Sequence, residues 1–281
     1  MSRQKPRFTA LLLIAVLLVP LLAACGGPEA KSAQPAATAP AAKPTAKPAA
    51  QATAKPAASA DPSTRVSESL GLLMGQSDKP GALPSFHVEI NDSGPTYDRQ
   101  AKTVLTNAVK IKADVQGTDV HAWIEGDDGK TTEGYVIGND DYVVDGGQVK
   151  QDALAGVGLT WAMWQLEPVV ILSLAGLGAQ AAGTQAVDGR TADVFAVDMA
   201  KADPAVLAGV QAFIGRGISV AKGKVWVDQQ SGALLKTVLD YEQDLYDVTS
   251  SDKNAPPVGH GSGHIDIAVS QVGKVSVSLP K

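Results

Sequence analysis

The chain has very little cysteine and few aromatic side chains, and both shortages limit what it can be. Among 281 residues the only cysteine is Cys25. An intrachain disulfide is therefore excluded, and so is a zinc site built on several cysteines. Aromatic residues make up 5% of the sequence, while valine, alanine, leucine and glycine are plentiful. This composition favours strands with small or β-branched side chains over a large aromatic core.

Basic residues are scarce in the part of the chain that we expect to fold, from residue 63 onward. The whole chain carries 24 basic and 29 acidic residues, of which seven and two lie in positions 1–62. The remainder has 17 basic and 27 acidic residues, a net charge of −10. Phosphate backbones and anionic lipid surfaces repel such a domain. We therefore expect no nucleic-acid binding and no docking through a broad basic face.

The N-terminal apolar run is too short for a stable transmembrane helix. It covers residues 8–22, follows three basic residues and ends in small residues, which are the marks of a cleaved signal peptide over residues 1–24. The segment Leu22-Ala23-Ala24-Cys25 resembles the lipobox of bacterial lipoproteins. The resemblance implies that Cys25 is lipidated. The protein is then exported and held by lipid at the outer face of the cell membrane or within the cell envelope. The alternative is an ordinary secretory signal followed by a chance cysteine.

Residues 25–62 contain no large apolar side chains and many prolines. A typical stretch is Ala42-Lys43-Pro44-Thr45-Ala46-Lys47-Pro48. Prolines at this frequency prevent a helix, and the segment has no large apolar side chains that could form a core. We predict that the lipidated Cys25 is followed by a disordered tether of polyproline II character, whose upper reach is on the order of 100 Å.

Residues 63–281 have the pattern of one domain that mixes strands and helices. Apolar residues at helical spacing predict a helix from about Ser63 to Gly75. Period-2 runs between glycine and aspartate turns then predict a meandering antiparallel sheet, with Asp188-Gly189 as one of its turns. The almost wholly apolar residues 161–182 predict helices packed against that sheet.

The last part of the domain repeats this pattern. A short helix is predicted from Pro204 to Ile214, followed by further hairpins. The chain is predicted to close with a strand that contains Val275, Val277 and Leu279.

Two motifs suggest chemistry that the surrounding sequence does not support. The segment His260-Gly261-Ser262-Gly263-His264 has two imidazoles but no evident third metal ligand, and its glycines predict a solvated loop. Gly176-Leu177-Gly178-Ala179-Gln180-Ala181 fits a dinucleotide-binding pattern, but the Asp188-Gly189 turn follows too soon for a full βαβ unit. No nucleophile, base and orienting residue share a suitable spacing. We therefore expect no enzyme, no metal and no cofactor.

The second half of the domain resembles LolA/LolB-like proteins, especially lipoproteins of the LppX/LprG type. The resemblance lies in Gly223-Lys224-Val225-Trp226-Val227-Asp228 with the turn after it, in Val187-Asp188-Gly189, and in the ending Val269-Ser270-Gln271-Val272-Gly273-Lys274. It covers residues 64–281 and implies an α+β fold, in which a strongly curved antiparallel sheet forms an open half-barrel with helices on its concave face. The resemblance also implies an apolar cavity that holds the acyl chains of a lipid, glycolipid or lipoprotein.

A cavity for acyl chains needs only apolar walls and a mouth that opens. The candidate wall residues are inward strand positions and apolar positions of the central helices, namely Phe86, Val88, Ile90, Val109, Ile111, Trp164, Val169, Leu172 and Leu174. Ordinary core packing is the alternative for each of them. We expect a monomeric carrier or chaperone whose partners are a lipid or lipidated molecule and the membrane. The alternative is an envelope interaction or stress-sensor module with a protein partner and no transport.

Overall fold

The computed structural model describes residues 61–74, 81–152, 166–214, 217–247 and 255–280. Eleven strands are present in these residues: β1 (Ser85–Asp98), β2 (Thr103–Gln116), β3 (Asp119–Glu125), β4 (Thr131–Ile137), β5 (Asp140–Asp145), β6 (Gln148–Gln151), β7 (Gln180–Val187), β8 (Arg190–Asp198), β9 (Ile218–Asp228), β10 (Leu234–Leu245) and β11 (Gly259–Ser270). The helices are α1 (Pro62–Met74), α2 (Leu166–Gly176), α3 (Pro204–Ile214) and a short 3₁₀ helix (Met199–Lys201).

All eleven strands belong to one open antiparallel sheet. Their order is β6-β5-β4-β3-β2-β1-β11-β10-β9-β8-β7, so that β6 and β7 lie at the two edges. Strands that follow each other in sequence are paired in the sheet, except β6 and β7, which lie at opposite edges. In addition, the first strand pairs with the last, with Ile90 opposite Ile267. The predicted α+β class, with a large antiparallel sheet and packed helices, is confirmed.

Local chemistry explains several elements. Helix α1 buries Val66, Leu70 and Leu73, which recur at spacings of four and three residues and so lie on one face. The hairpin of β7 and β8 turns at Asp188 and Gly189, whose φ angles are 46° and 77°. Positive φ at both central residues gives a turn whose twist matches that of antiparallel strands, and Asp-Gly is a favoured pair for it.

The helices lie mainly over one half of the sheet. Helices α1 and α2 pack on each other, and their main strand contacts are with β7 to β10, while α3 packs on α2. We call these four strands with α1 and α2 the helix half, and strands β2 to β6 the strand half. None of the helices in the described segments is long and apolar enough to cross a membrane.

The predicted C-terminal strand is wrong. After the turn at residues 272–274, residues 275–280 have no regular structure. Strand β11 already has β1 and β10 on its two sides, so a further strand has no open edge to join there. Instead, the backbone N–H of Val277 donates to Oε1 of Gln116 at 2.9 Å, which fixes the tail across the end of β2.

The predicted loop at residues 260–264 is also wrong, because these residues lie within β11. The glycines of this segment leave room for neighbouring side chains. A Cβ on Gly263 would lie 2.1 Å from Cζ of Tyr241, and one on Gly261 would lie 2.5 Å from Cβ of Pro95. Glycine is therefore needed here for close approach rather than for flexibility.

The predicted helical region at 161–182 extends too far. Helix α2 ends at Gly176, and β7 begins at Gln180. A Cβ on Gly178 would lie 1.9 Å from the backbone oxygen of Asp198, so the chain crosses directly under the end of β8 at this point. This contact also gives Gly178 a packing role and leaves no dinucleotide-binding loop.

Candidate functional site

The inner face of the sheet, which carries the helices, holds an almost unbroken row of apolar side chains. One row of directly paired residues crosses seven strands from β3 to β8, and it consists of Ile124, Ile111, Ile90, Ile267, Thr237, Val225 and Phe195. All seven are buried. We call this set the apolar row.

Thr237 is the one polar member of the apolar row. Its side chain is 1% exposed, and Oγ1 has no hydrogen-bond partner within the described part of the chain. Burial of a hydroxyl without a hydrogen-bond partner lowers the stability of the folded state by about 1–3 kcal/mol. No signal in the sequence marks this position as different from other strand threonines.

The predicted wall residues fall into three groups. Six of the nine are enclosed by protein, at 0–2% exposure: Phe86, Val88, Ile90, Ile111, Leu172 and Leu174. Val109 is half-buried at the margin of the core, and Val169 on α2 is 42% exposed. Trp164 lies outside the described residues, as does Cys25.

These six side chains are enclosed in the conformation that the structure shows, in which the helices pack on the sheet. A side chain with almost no accessible surface has protein atoms on all sides, as in an ordinary close-packed interior. Hydrocarbon would reach the six enclosed residues only after the protein atoms that cover them move away. Val109 and Val169 have surface available in the present state.

A buried ion pair ties the helix half together. Arg190 at the start of β8 donates from Nε and from one terminal nitrogen to the two carboxylate oxygens of Asp228, at 3.1 and 2.6 Å. Ser231 donates to Asp228 from both its backbone N–H and its hydroxyl, at 2.8 and 2.6 Å. Burial alone would raise the pKa of Asp228, but the donors from Arg190 and Ser231 outweigh it and hold the pKa below its ordinary value.

A second polar cluster joins α1 to the same strands. Arg65 forms an ion pair with Asp193 of β8, and its guanidinium lies 5.3 Å from the ring centre of Phe195. Asp193 also accepts a hydrogen bond of 2.6 Å from the side chain of Gln229. These contacts fix the position of α1 relative to β8 and β9.

The outer face of the sheet is polar and carries all four histidines. His87 contacts Asp114 at 2.7 Å, and His121 contacts Glu133 at 2.9 Å while stacking on Tyr135. His260 and His264 contact carboxylates of β10 in the same way. No three histidine, aspartate or glutamate residues among those described are grouped so as to hold a metal ion. Each imidazole therefore lies in hydrogen-bonding contact with a carboxylate of a neighbouring strand.

Comparison with known proteins gives matches in structure only. No protein-family model and no curated protein matches the chain. Lipoprotein LppX of Mycobacterium tuberculosis is 17% identical, with a TM-score of 0.38 over 78% of this chain and 97% of that one. LprF of Mycobacterium bovis is 17% identical, with a TM-score of 0.37 over 78% and 95%. A LolA superfamily protein of Nitrosomonas europaea is 11% identical, with a TM-score of 0.21 over 77% and 92%.

The group that the sequence motifs resemble is thus present among the structures to which this chain is similar. At these identities and TM-scores the likeness concerns the arrangement of the sheet and says nothing about a ligand. Two of the motifs behind the resemblance have clear structural roles. The segment 223–228 ends in the ion-paired Asp228, and the backbone N–H of Gln271 donates to the carboxylate of turn residue Asp188 at 2.7 Å.

Sequence reasoning missed the ion pair of Arg190 with Asp228. The two residues lie 38 positions apart, and only the strand register brings them together. A local signal for Asp228 was nevertheless present. An aspartate three residues before a serine and four before a glycine is typical of a turn whose carboxylate accepts backbone hydrogen bonds.

Proposed function

We propose that this protein is a cell-envelope lipoprotein, anchored to the membrane through Cys25, that binds the acyl chains of a lipid, glycolipid or lipoprotein and carries or chaperones them. The observation on which the proposal rests is the apolar row together with the one-sided position of the helices. The row extends through β1, β2 and β3, beyond the strands on which α1 and α2 mainly pack. A continuous apolar surface larger than its main helical cover is what a binding site for hydrocarbon requires.

Binding in this way requires the protein atoms that cover the six enclosed candidate wall residues to move apart. In this proposal the described conformation is the closed one, because those six side chains have almost no accessible surface. Each methylene transferred from water to an apolar site contributes about 0.8 kcal/mol, so an acyl chain of about fifteen methylenes supplies on the order of 10 kcal/mol. This energy is comparable with the cost of opening one helix–sheet contact, and no catalytic residue takes part.

The test is native mass spectrometry of the full, mature chain purified from membranes. We expect an amphiphile in addition to the lipid on Cys25. The informative variant is Val109→Asn, which places an amide on the half-buried inner-face position of β2. Its matched control is Lys110→Asn, because successive strand residues point to opposite faces.

We expect Val109→Asn to lower the amount of bound amphiphile several-fold and Lys110→Asn to leave it unchanged. A wild-type chain without any amphiphile beyond its own anchor contradicts the proposal. An equal effect of the two variants would show that the inner face is not the binding site.

A second candidate is a non-transporting envelope interaction or stress-sensor module. The enclosure of Phe86, Val88, Ile111 and Leu174 favours it, because a filled interior leaves no space for a ligand in the described state. Cross-linking of the intact chain in membranes separates the two candidates. A stoichiometric protein partner, without a bound amphiphile, would support the module and exclude the carrier.

A further inference from the structure

One end of the sheet collects exposed apolar side chains from separate elements. The register places the tip of the β1–β2 hairpin, the last residue of β10 and the first residue of β11 at this end, with Leu245 opposite Gly259. Helix α3 lies at the same end, because it joins the end of β8 to the start of β9 and Gly217 accepts a hydrogen bond from the backbone of Asp244.

Four of the six large apolar side chains that are most exposed in the described residues lie here. They are Val206 on α3 (51% exposed), Leu105 and Val104 on the hairpin (47% and 38%) and Val258 just before β11 (38%). We call these four residues the apolar rim. Single exposed apolar residues are ordinary, but a concentration at one end of a molecule marks an interaction surface.

Helix α3 makes this concentration unusual. Its sequence, Pro-Ala-Val-Leu-Ala-Gly-Val-Gln-Ala-Phe-Ile, has no charged residue. Of residues 204–210, five are exposed, and only Leu207 and Val210 are half-buried against the core. A helix at the surface of a protein normally turns a polar face to water, whereas the five exposed residues in the described part of α3 are proline, alanine, valine and glycine.

The tip of the β1–β2 hairpin is locally basic. Residues 98–103 carry Arg99 and Lys102 against Asp98, a net charge of +1, whereas the region from residue 63 onward has a net charge of −10. Asp203 before α3 and Asp244 near the end of β10 add negative charge elsewhere at this end. Favourable contact with anionic or zwitterionic head groups is therefore confined to the hairpin tip, beside Val104 and Leu105.

We propose that the apolar rim docks on the surface of a phospholipid bilayer, with Val206, Leu105 and Val258 among the acyl chains and head groups. The inference rests on the proposed lipidation of Cys25. The 36 residues from Gly26 to Asp61 connect that anchor to α1, so the domain stays within about 100 Å of the membrane. Within that range, weak apolar insertion is enough for frequent contact.

The test uses the full acylated chain reconstituted into phosphatidylcholine vesicles. Three variants each introduce one thiol for a nitroxide label: Val206→Cys and Val258→Cys at the rim, and Asn139→Cys in the exposed turn between β4 and β5 as the control. Because Cys25 is the only native cysteine, its lipidation leaves the new thiol as the single labelling site.

We expect the two rim labels to gain several-fold in accessibility to oxygen, which dissolves in lipid, relative to a water-soluble nickel chelate. The Asn139→Cys label should not change. Equal accessibility at rim and control positions overturns the proposal, and it is also the result expected if the rim binds a soluble protein that the vesicles lack. Spin–spin broadening between rim labels of different molecules would show a contact between two copies and would overturn it as well.

Failure of docking is distinguishable from failure of the proposed function. Flotation of the chain with the vesicles reports the anchor, and native mass spectrometry reports a bound amphiphile. A chain that floats and carries an amphiphile, but whose rim labels remain in water, retains the proposed function and loses only the docking surface.

Discussion

The two halves of the sheet use charged residues in different ways. In the helix half the ion pairs are partly buried and join distant parts of the chain, as Arg190–Asp228 (side chains 23% and 2% exposed) and Arg65–Asp193 (26% and 23%) do. In the strand half they connect nearby residues on the surface, as Lys130–Asp128 does. Exposed pairs stabilise a protein little, whereas loss of one partner from an enclosed pair is costly. The helix half is therefore held in one arrangement, while charge does little to fix the strand half.

The apolar core shows the same gradient. The inner-face residues Phe86, Val88, Ile90 and Ile111 of β1 and β2 are enclosed, but every residue of β5 has some exposed surface, and β6 has only four residues. The core thus becomes thinner toward the β6 edge. The two halves differ in role if the helix half is held in one arrangement and the strand half accepts hydrocarbon. An added fatty acid should then change the stability of variants in the two halves by different amounts.

Truncation of a core residue in each half is the strongest test of this difference. Leu174→Ala on α2 and Ile111→Ala on β2 each remove an enclosed side chain, and each should lower the free energy of unfolding by about 3 kcal/mol. We expect saturating long-chain fatty acid to restore part of the loss for Ile111→Ala only, because the cavity left on β2 lies outside the strands on which α1 and α2 mainly pack, where the proposed acyl chain would bind. Urea unfolding with and without the fatty acid measures this. Equal behaviour of the two variants would support the non-transporting module.

Removal of the enclosed carboxylate should have the next largest effect. Asp228→Asn breaks the ion pair with Arg190 and should lower the free energy of unfolding by about 2–3 kcal/mol at pH 7. The control, Asp145→Asn, removes a fully exposed carboxylate and should leave stability unchanged. If both variants cost the same, the contrast between the halves does not hold.

The same residue predicts a dependence on pH. The folded-state pKa of Asp228 lies below the ordinary value for aspartate, so its stabilising contribution is complete above the unfolded-state pKa of about 4. It is lost as pH falls through the folded-state pKa. Wild type and Asp228→Asn should therefore approach each other in stability below about pH 4, which urea unfolding at pH 7 and pH 3 would show. A constant difference between them would contradict the assignment.

Between the two halves, β11 depends on close packing against a glycine. Gly263→Ala forces the enclosed ring of Tyr241 to move and should cost about 1–3 kcal/mol. Gly126→Ala serves as the control, because the nearest atom to its new Cβ lies 3.6 Å away and no strain is expected. Thermal unfolding of the two variants compares them, and equal melting temperatures would show that Tyr241 adapts freely.

The smallest expected effect concerns the polar member of the apolar row. Thr237→Val keeps the shape and removes a hydroxyl that has no partner among the described residues, so it should raise the free energy of unfolding by about 1 kcal/mol. Urea unfolding measures it. A loss of stability would instead show that the hydroxyl has a partner, and a simultaneous loss of bound amphiphile would place that partner on the ligand.

Much of the fold follows from local patterns. The bounds of α3 were predicted from Pro204 to Ile214 as observed, and the Asp188-Gly189 turn was predicted from its residue types. The errors arise where tertiary contacts outweigh local chemistry. The glycines of β11 indicate a loop until Tyr241 and Pro95 are known to lie against them. Val277 alternates like a strand residue, although the strand before it, β11, is already paired on both sides.

The candidate site was less predictable for a related reason. Alternation in β1 and β2 predicts which side chains point inward, but not what covers them. Whether Ile90 or Ile111 meets a helix, another strand or a ligand depends on contacts between residues far apart in sequence. Whether these residues hold an acyl chain therefore stays a prediction.

The bend in the edge strand β7 limits how the sheet can extend on this side. This strand has neither a charged residue nor a proline to discourage pairing with a neighbouring chain. Its pairing with β8 shifts register between Ala181 and Thr184, where Gly183 has a φ of 109°. A strand added at this edge would meet the same irregularity, because a register shift interrupts the regular ladder of backbone hydrogen-bonding groups. Backbone shape at one glycine therefore opposes pairing here, as charge or proline does on other edge strands.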